Sequence, residues 1–255
     1  MADKPLILIT NDDSISAKGI ASLVNAMSSL GDILVVAPDK PQSGMGHAIT
    51  IHSPLRLMKS NQFENIQAYT CSGTPVDCVK LAIYEILKRR PDLLVSGINH
   101  GSNASTNVLY SGTMSAAIEG AIEGIPSIGF SLLDHDADAD FDASTEYAHL
   151  IAKAVLTNKL QSGVCLNVNI PRGKKSDLKG MKICRQGRAF WEDSFDKRKD
   201  PSGGDYYWLT GKFEATDRGE DTDMWALEHK FVSVVPTQFD MTAHHLISQL
   251  NEWKF

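Results

Sequence analysis

Short apolar runs and amphipathic segments alternate along the first 170 residues of the chain. Six runs read as strands: Leu6 to Thr10, Ile33 to Ala37, Ile66 to Cys71, Leu93 to Gly97, Ile125 to Leu133 and Val164 to Ile170. Most are apolar without interruption, the pattern of strands covered on both faces in a parallel sheet. Between them, apolar residues recur at helical spacing. Ile20, Leu23, Val24, Met27 and Leu30 share a face and lead to Gly31, a natural helix stop. Thr74, Pro75 and Asp77 spell a capping box with proline at the first helical position, and Val76, Val79, Ile83, Ile86 and Leu87 follow on one face. A third helix carries Met114, Ala117, Ile118, Ala121 and Ile122 and stops near Gly124 and Pro126, and a fourth runs from about Ser144 to Leu160. Strand, helix and strand repeated with right-handed crossovers predict an α/β fold, a three-layer α/β/α Rossmann-like sandwich with a mainly parallel sheet.

The alternation breaks twice. "AITIHSPLRLMK", residues 48–59, reads as a small antiparallel excursion around Pro54. Residues 190–206 are polar and turn-rich between "MKICRQG" and "YYWLTG", which read as strands, so a C-terminal β-hairpin arm is expected there. Its Trp191, Tyr206, Tyr207 and Trp208 require a surface to cover them, supplied by a partner subunit or by the same chain. An amphipathic helix from about Thr242 to Trp253 closes the chain. The expected division is an α/β core over 1–180 and an extension over 181–255.

Composition narrows the function. The chain has 255 residues and a net charge of −6, which argues against a surface that coats nucleic acid. The N-terminal apolar run is too short for a signal peptide and no stretch approaches a membrane span, so a cytoplasmic protein is expected. Cys71, Cys78, Cys165 and Cys184 form no CxxC pair and read as buried free thiols, and no HExxH occurs among the histidines.

In open parallel sheets, ligands bind beyond the carboxyl ends of the strands. The loops there are "NDDS", "PDKPQSGMGH" and "INHGSNASTNVLYSGT", all rich in Asp, Asn, Ser and Gly. Adjacent Asp12 and Asp13 repel by roughly 1 to 4 kcal/mol at surface-like dielectric, so a cation or a shared proton is expected beside them. Hard cations take carboxylate and neutral oxygens, which points to Asp12 and Asp13 with Ser43 and Asn99. The plainer reading, an Asx turn capping the next helix, needs only one aspartate. Ser111, Gly112 and Thr113 stand in the first turn of the third helix, where free N–H groups and the dipole favour phosphate; plain N-capping by Ser111 or Thr113 is the rival reading. P-loop, dinucleotide and nucleophile-elbow motifs are missing. "DHDADADFD" imitates a calcium loop from Asp136 through Asp138 and Asp140. Phe141 and Tyr147 stand where such a loop needs Gly and Glu, so a solvated acidic loop is expected. His47 reads either as a polar rim residue or as an acid.

Seven ordered blocks carry a resemblance over nearly the whole chain: "TNDD", "VVAPDKPQSGMGHAIT", "SGTPVDCV", "PDLLVSGINHGSN", "YSGTMSAAIEGAIEGIPSIGFS", "NVNIP", and "DTDMWAL" followed by "VSVVPTQFDMT". Together they resemble the SurE family of stationary-phase survival proteins, metal-dependent nucleotidases. The resemblance implies a phosphomonoesterase, a 5'-nucleotidase acting on nucleoside monophosphates with one divalent cation, Mg²⁺ or Mn²⁺, and a homodimer or homotetramer built through the C-terminal arm. It places the metal ligands on Asp12, Asp13, Ser43 and Asn99, and the phosphate-binding segment on Asn103 and on Ser111, Gly112 and Thr113. The catalytic roles then fall to Asp12, which orients or deprotonates water, and to Asn103 and Ser111. Ser14 departs from the family, which usually has glycine there; if the position demands positive φ, serine costs on the order of 1 kcal/mol. Two other classes remain open at this stage, a catalytically silent nucleotide-binding regulator and an interaction module working through the arm. Base preference, 5' against 3' ester or polyphosphate, the metal used and the size of the oligomer are not legible.

Overall fold

In the computed structural model, residues 4–254 are described. Strand β1 (Leu6–Thr10) shows why its apolar run is continuous: Ile7 and Ile9 join the cluster on one face of the sheet, and Leu8 joins the cluster on the other. The first cluster takes Ile20, Leu23 and Met27 from α1 (Lys18–Met27) and Ala148, Ile151 and Val155 from α4 (Asp142–Asn158). The second takes Cys78 and Val79 from α2 (Pro75–Leu81) and Ala116 from α3 (Gly112–Ile122). Two helical layers thus enclose one sheet.

Around β1 lie β2 (Asp32–Pro38) and β5 (Leu93–His100), both parallel to it. The sheet continues through β4 (Gln67–Cys71) to β3 (Leu57–Ser60) on one side, and through β6 (Ser127–Leu133), β7 (Val164–Pro171), β11 (Val232–Gln238) and β8 (Met181–Ile183) on the other. Its order is β3-β4-β2-β1-β5-β6-β7-β11-β8, with β3 antiparallel to β4 and β11 antiparallel to β7. The expected α/β/α sandwich is therefore present. Its last two strands on the β7 side, β11 and the edge strand β8, come from beyond residue 180.

Several boundaries differ from the sequence expectation, each for a local reason. Helix α1 ends at Met27 with Ser28 as its cap, one turn before Gly31. A Cβ on Gly31 would stand 2.2 Å from the Pro5 carbonyl oxygen, so this glycine serves a close chain approach and not a cap. Helix α4 starts at Asp142, ahead of Ser144. Thr74 and Asp77 form the expected capping box, with Pro75 at the first position. The helix then relaxes into a π-helical turn over Ala82–Leu87. Of the 48–59 excursion only Leu57–Ser60 becomes a strand.

The arm exists with another partition. β9 (Ala189–Lys199) pairs with β10 (Asp205–Ala215), and residues 200–204 form the turn. The polar residues 190–199, expected as loop, are a strand because each pairs across the ribbon, whereas "MKI" was taken into the main sheet as β8. α5 (Asp223–Glu228) leads into β11, and the expected terminal helix is only a 3₁₀ turn at His244–Leu246 and α6 (Ile247–Asn251). All four cysteines are free and buried, as expected. Among the described residues no helix is long and apolar enough to cross a membrane.

Candidate active site

At the carboxyl end of β1 the chain turns through Asn11, Asp12, Asp13 and Ser14. Asp12 is 4% exposed. Its Oδ1 accepts a hydrogen bond from the Thr113 hydroxyl in the first turn of α3. Gly112 packs against the same side chain: a Cβ there would lie 2.8 Å from Asp12 Cβ and 3.0 Å from Oδ2. Only glycine lets helix α3 start this close to the carboxylate. Asp13 is half-buried, and its Oδ2 accepts from the His100 backbone N–H at 3.4 Å. Burial first, and the Asp13 charge second, push the Asp12 carboxyl up to about 6, against the lowering effect of Thr113. Burial also raises Asp13. Among the described residues no lysine or arginine pairs with either carboxylate.

The second loop is stitched across this opening. Gln42 N–H donates to the Asp12 carbonyl at 2.7 Å, which puts exposed Ser43 one residue away from that tether. Gly46 N–H donates to the Tyr110 carbonyl at 3.3 Å, and Thr74 Oγ1 donates to the Ala48 carbonyl at 2.8 Å. His47 Nε2 lies 2.9 Å from Oε2 of Glu119, and Lys80 Nζ donates to Oε1 at 2.5 Å. Burial by itself would raise the Glu119 carboxyl, but those two partners hold it below the usual range. The ring of His47 is therefore an anchor of the loop.

The third loop supplies Asn99 and Asn103. Asn99 Nδ2 donates to the Gly101 carbonyl at 2.9 Å, and its Oδ1 accepts no hydrogen bond among the described residues. Asn103 sits in a closed amide ring: its N–H donates to Asn169 Oδ1, Asn169 Nδ2 to Asn167 Oδ1, and Asn167 Nδ2 back to the Asn103 carbonyl, each at 2.8 Å. Asn103 Nδ2 donates to Ser131 Oγ at 2.7 Å. Ser111 Oγ accepts from Met114 N–H at 2.9 Å, so the hydroxyl is the N-cap of α3. The capping reading holds for Ser111, the Thr113 N–H turns to the Asp12 carboxylate beside its own hydroxyl, and the Gly112 N–H is left at that helix end without a partner in the helix.

These residues fit a hard cation. The donors are two carboxylates and neutral oxygens, the set Mg²⁺ and Mn²⁺ prefer. Among the described residues no group of three or more His, Cys, Asp or Glu is placed for a metal. Buried Asn11 Oδ1 also lacks a hydrogen-bond partner among the described residues at this mouth. The acidic loop makes a separate cleft, where Arg172 pairs with Asp134 and Asp136 and Lys18 with Asp138, as a solvated loop should.

The family model for Survival protein SurE matches residues 7–193. The chain belongs to the SurE family. It is 63% identical over 251 residues to 5'-nucleotidase SurE of Flavobacterium psychrophilum, covering 98% of each chain. The corresponding Flavobacterium johnsoniae protein, also named 5'-nucleotidase SurE, is 61% identical over 253 residues, 99% of this chain and 98% of that one. The crystal structure of SurE protein from Aquifex aeolicus superposes with a TM-score of 0.85 at 38% identity, over 97% of this chain and 98% of that one.

Within this SurE chain the sequence missed Glu119, Lys80, Ser131, Asn167 and Asn169 as parts of the site's frame. "NVNIP" was visible only as a block, because alternation within a buried strand does not reveal that two of its polar residues meet a loop 64 and 66 positions away. The departure at Ser14 has a physical counterpart: its φ is +88°, and Asn11 Nδ2 holds its carbonyl at 2.8 Å. Ser14→Gly removes that strain, so the variant is expected to be more stable by about 1 kcal/mol in urea unfolding. An unchanged or lowered midpoint would show that the Ser14–Ser16 hydroxyl contact at 3.1 Å outweighs it.

Proposed function

We propose that this SurE protein hydrolyses nucleoside 5'-monophosphates to nucleoside and phosphate, as a cytoplasmic 5'-nucleotidase dependent on one divalent cation. The observation that carries this reading is the meeting of Asp12 with the first turn of α3, an acid-lined cation seat placed against a phosphate seat. Asp12, Asp13, Ser43 and Asn99 would hold the cation. When bound, it supplies charge for the phosphoryl oxygens and acidity for an attacking water. Thr113 occupies Asp12 Oδ1, so Oδ2 is the atom left to orient that water and take its proton. The Gly112 N–H and the Asn103 side chain bind the phosphoryl oxygens, where donors fixed before the reaction stabilise developing charge, while Thr113 holds the Asp12 carboxylate through its hydroxyl and its N–H. The amide ring around Asn103 and the Ser111 cap hold those donors in place.

The arm supports assembly with a second copy of the chain. Strand register puts Trp191, Phe195, Tyr207, Leu209 and Phe213 on one face, with Phe195 and Leu209 each 65% exposed. A two-stranded ribbon with such a face is marginal alone.

Phosphate release from AMP and GMP with Mn²⁺ or Mg²⁺ is expected, to vanish in EDTA, and to fall by at least about a hundredfold in Asp12→Asn, the scale of a lost general base. No release with either metal, or full activity in Asp12→Asn, contradicts the reading. Light scattering after size exclusion should give a dimer or tetramer for the wild type and a monomer for Phe195→Asp/Leu209→Lys; equal masses contradict the arm interface.

A further inference from the structure

Among the described residues, an exposed apolar patch borders the polar loops of the candidate site. Met45, Leu109 and Tyr110 are 48%, 55% and 62% exposed beside it. The glycines Gly44 and Gly46, at φ +74° and +57°, curl the second loop over this spot. Gly46 N–H is bonded to the Tyr110 carbonyl, and a Cβ on Gly46 would stand 3.2 Å from the Leu109 carbonyl oxygen. The patch is thus one surface formed by two loops that also carry Ser43 and Ser111.

Tyr110 differs from the other tyrosines of the core. Tyr84 is exposed but bonded through its hydroxyl to Glu123, Tyr69 accepts from Gln67, and Tyr147 is buried against the sheet. The ring of Tyr110 stacks on no other ring, and its hydroxyl makes no hydrogen bond among the described residues. Two peptide steps separate it from Gly112, so its Cα lies within about 8 Å of the Cα that faces the phosphate seat. A large apolar ring left open at that distance is a surface for a ligand group.

A nucleoside monophosphate presents phosphate, ribose and a flat base. Its phosphate is served by the α3 N-terminus, and the base is the part that matches an apolar, planar wall. We propose that Tyr110, flanked by Met45 and Leu109, is the platform on which the nucleobase stacks, which makes it a specificity-determining residue for nucleotides over other phosphate monoesters. This rests on the nucleotidase reading above. Stacking on a π face tolerates any base, so the platform selects for the presence of a base and discriminates weakly among bases.

The test compares kcat/KM for AMP and for ribose 5-phosphate, which lacks the base, in the Mn²⁺-loaded wild type, Tyr110→Ala and Tyr110→Phe. The wild type is expected to prefer AMP. Tyr110→Ala is expected to lower kcat/KM for AMP by about ten- to a hundredfold, mainly through KM, as loss of one stacked base does, with ribose 5-phosphate changed less than about twofold. Tyr110→Phe keeps the ring and is expected to keep the preference. Equal losses on both esters in Tyr110→Ala, or no loss on AMP, overturns the platform while leaving the nucleotidase reading standing. Hydrolysis of neither ester by the wild type overturns that reading and the platform with it.

Discussion

Two neighbouring carboxylates at the mouth of a buried strand set the terms for everything around them. Asp12 and Asp13 lose water on folding and repel each other, which is why the Asp12 carboxyl is pushed up to about 6. Among the described residues no lysine or arginine pairs with either carboxylate, and the His100 ring offsets the rise at Asp13 only in part. The chain instead closes on the pair with neutral donors and backbone: Thr113 on Asp12, the His100 N–H on Asp13, and the Gln42 N–H on the Asp12 carbonyl. Under the proposed function, this acidic seat without a paired lysine or arginine among the described residues is what a divalent cation and an anionic ligand would share.

The rest of the fold makes that seat stiff. β1 is central in the sheet, between β2 and β5, so its carboxyl end is flanked by the loops that follow both neighbours. On the α3 side, Gly112 allows the helix to abut Asp12, and Glu119 further along the same helix anchors the second loop through His47 and α2 through Lys80. On the α1 side, a Cβ on Gly19 would stand 1.9 Å from the Ile98 carbonyl oxygen, so glycine lets the helix lie against the end of β5 just before Asn99. Beyond β5, the ring of Asn103, Asn167 and Asn169 ties the third loop to β7. A buried network with its partners met specifies one arrangement, and a cation seat and a phosphate seat need that fixed separation.

The core was legible in the sequence because its strands are uninterrupted apolar runs and its second helix opens with a complete capping box. Asp12 and Asp13 were legible for a related reason: adjacent charges at the end of such a run have no packing role. What stayed hidden depends on long-range pairing. Residues 190–199 looked like loop because their polarity lacks alternation, yet an exposed ribbon has no buried face to impose it. Gly31 looked like a helix stop, although its lack of a side chain serves the Pro5 carbonyl. Glu119 looked like one more polar position on α3, since nothing local tells that it is buried between His47 and Lys80. The strain at Ser14 could be posed only as a condition until its φ was known.

The account stands or falls on whether the paired carboxylates bind a cation as a unit. Titrating the metal-stripped protein with Mn²⁺ and following free ion by electron paramagnetic resonance measures this without any substrate. The account predicts one ion per chain in the wild type and much weaker binding in Asp13→Asn, with thermal unfolding confirming that the variant is folded. Saturation of the Asp13→Asn protein at the wild-type concentration of Mn²⁺, or no bound ion in the wild type, would contradict it.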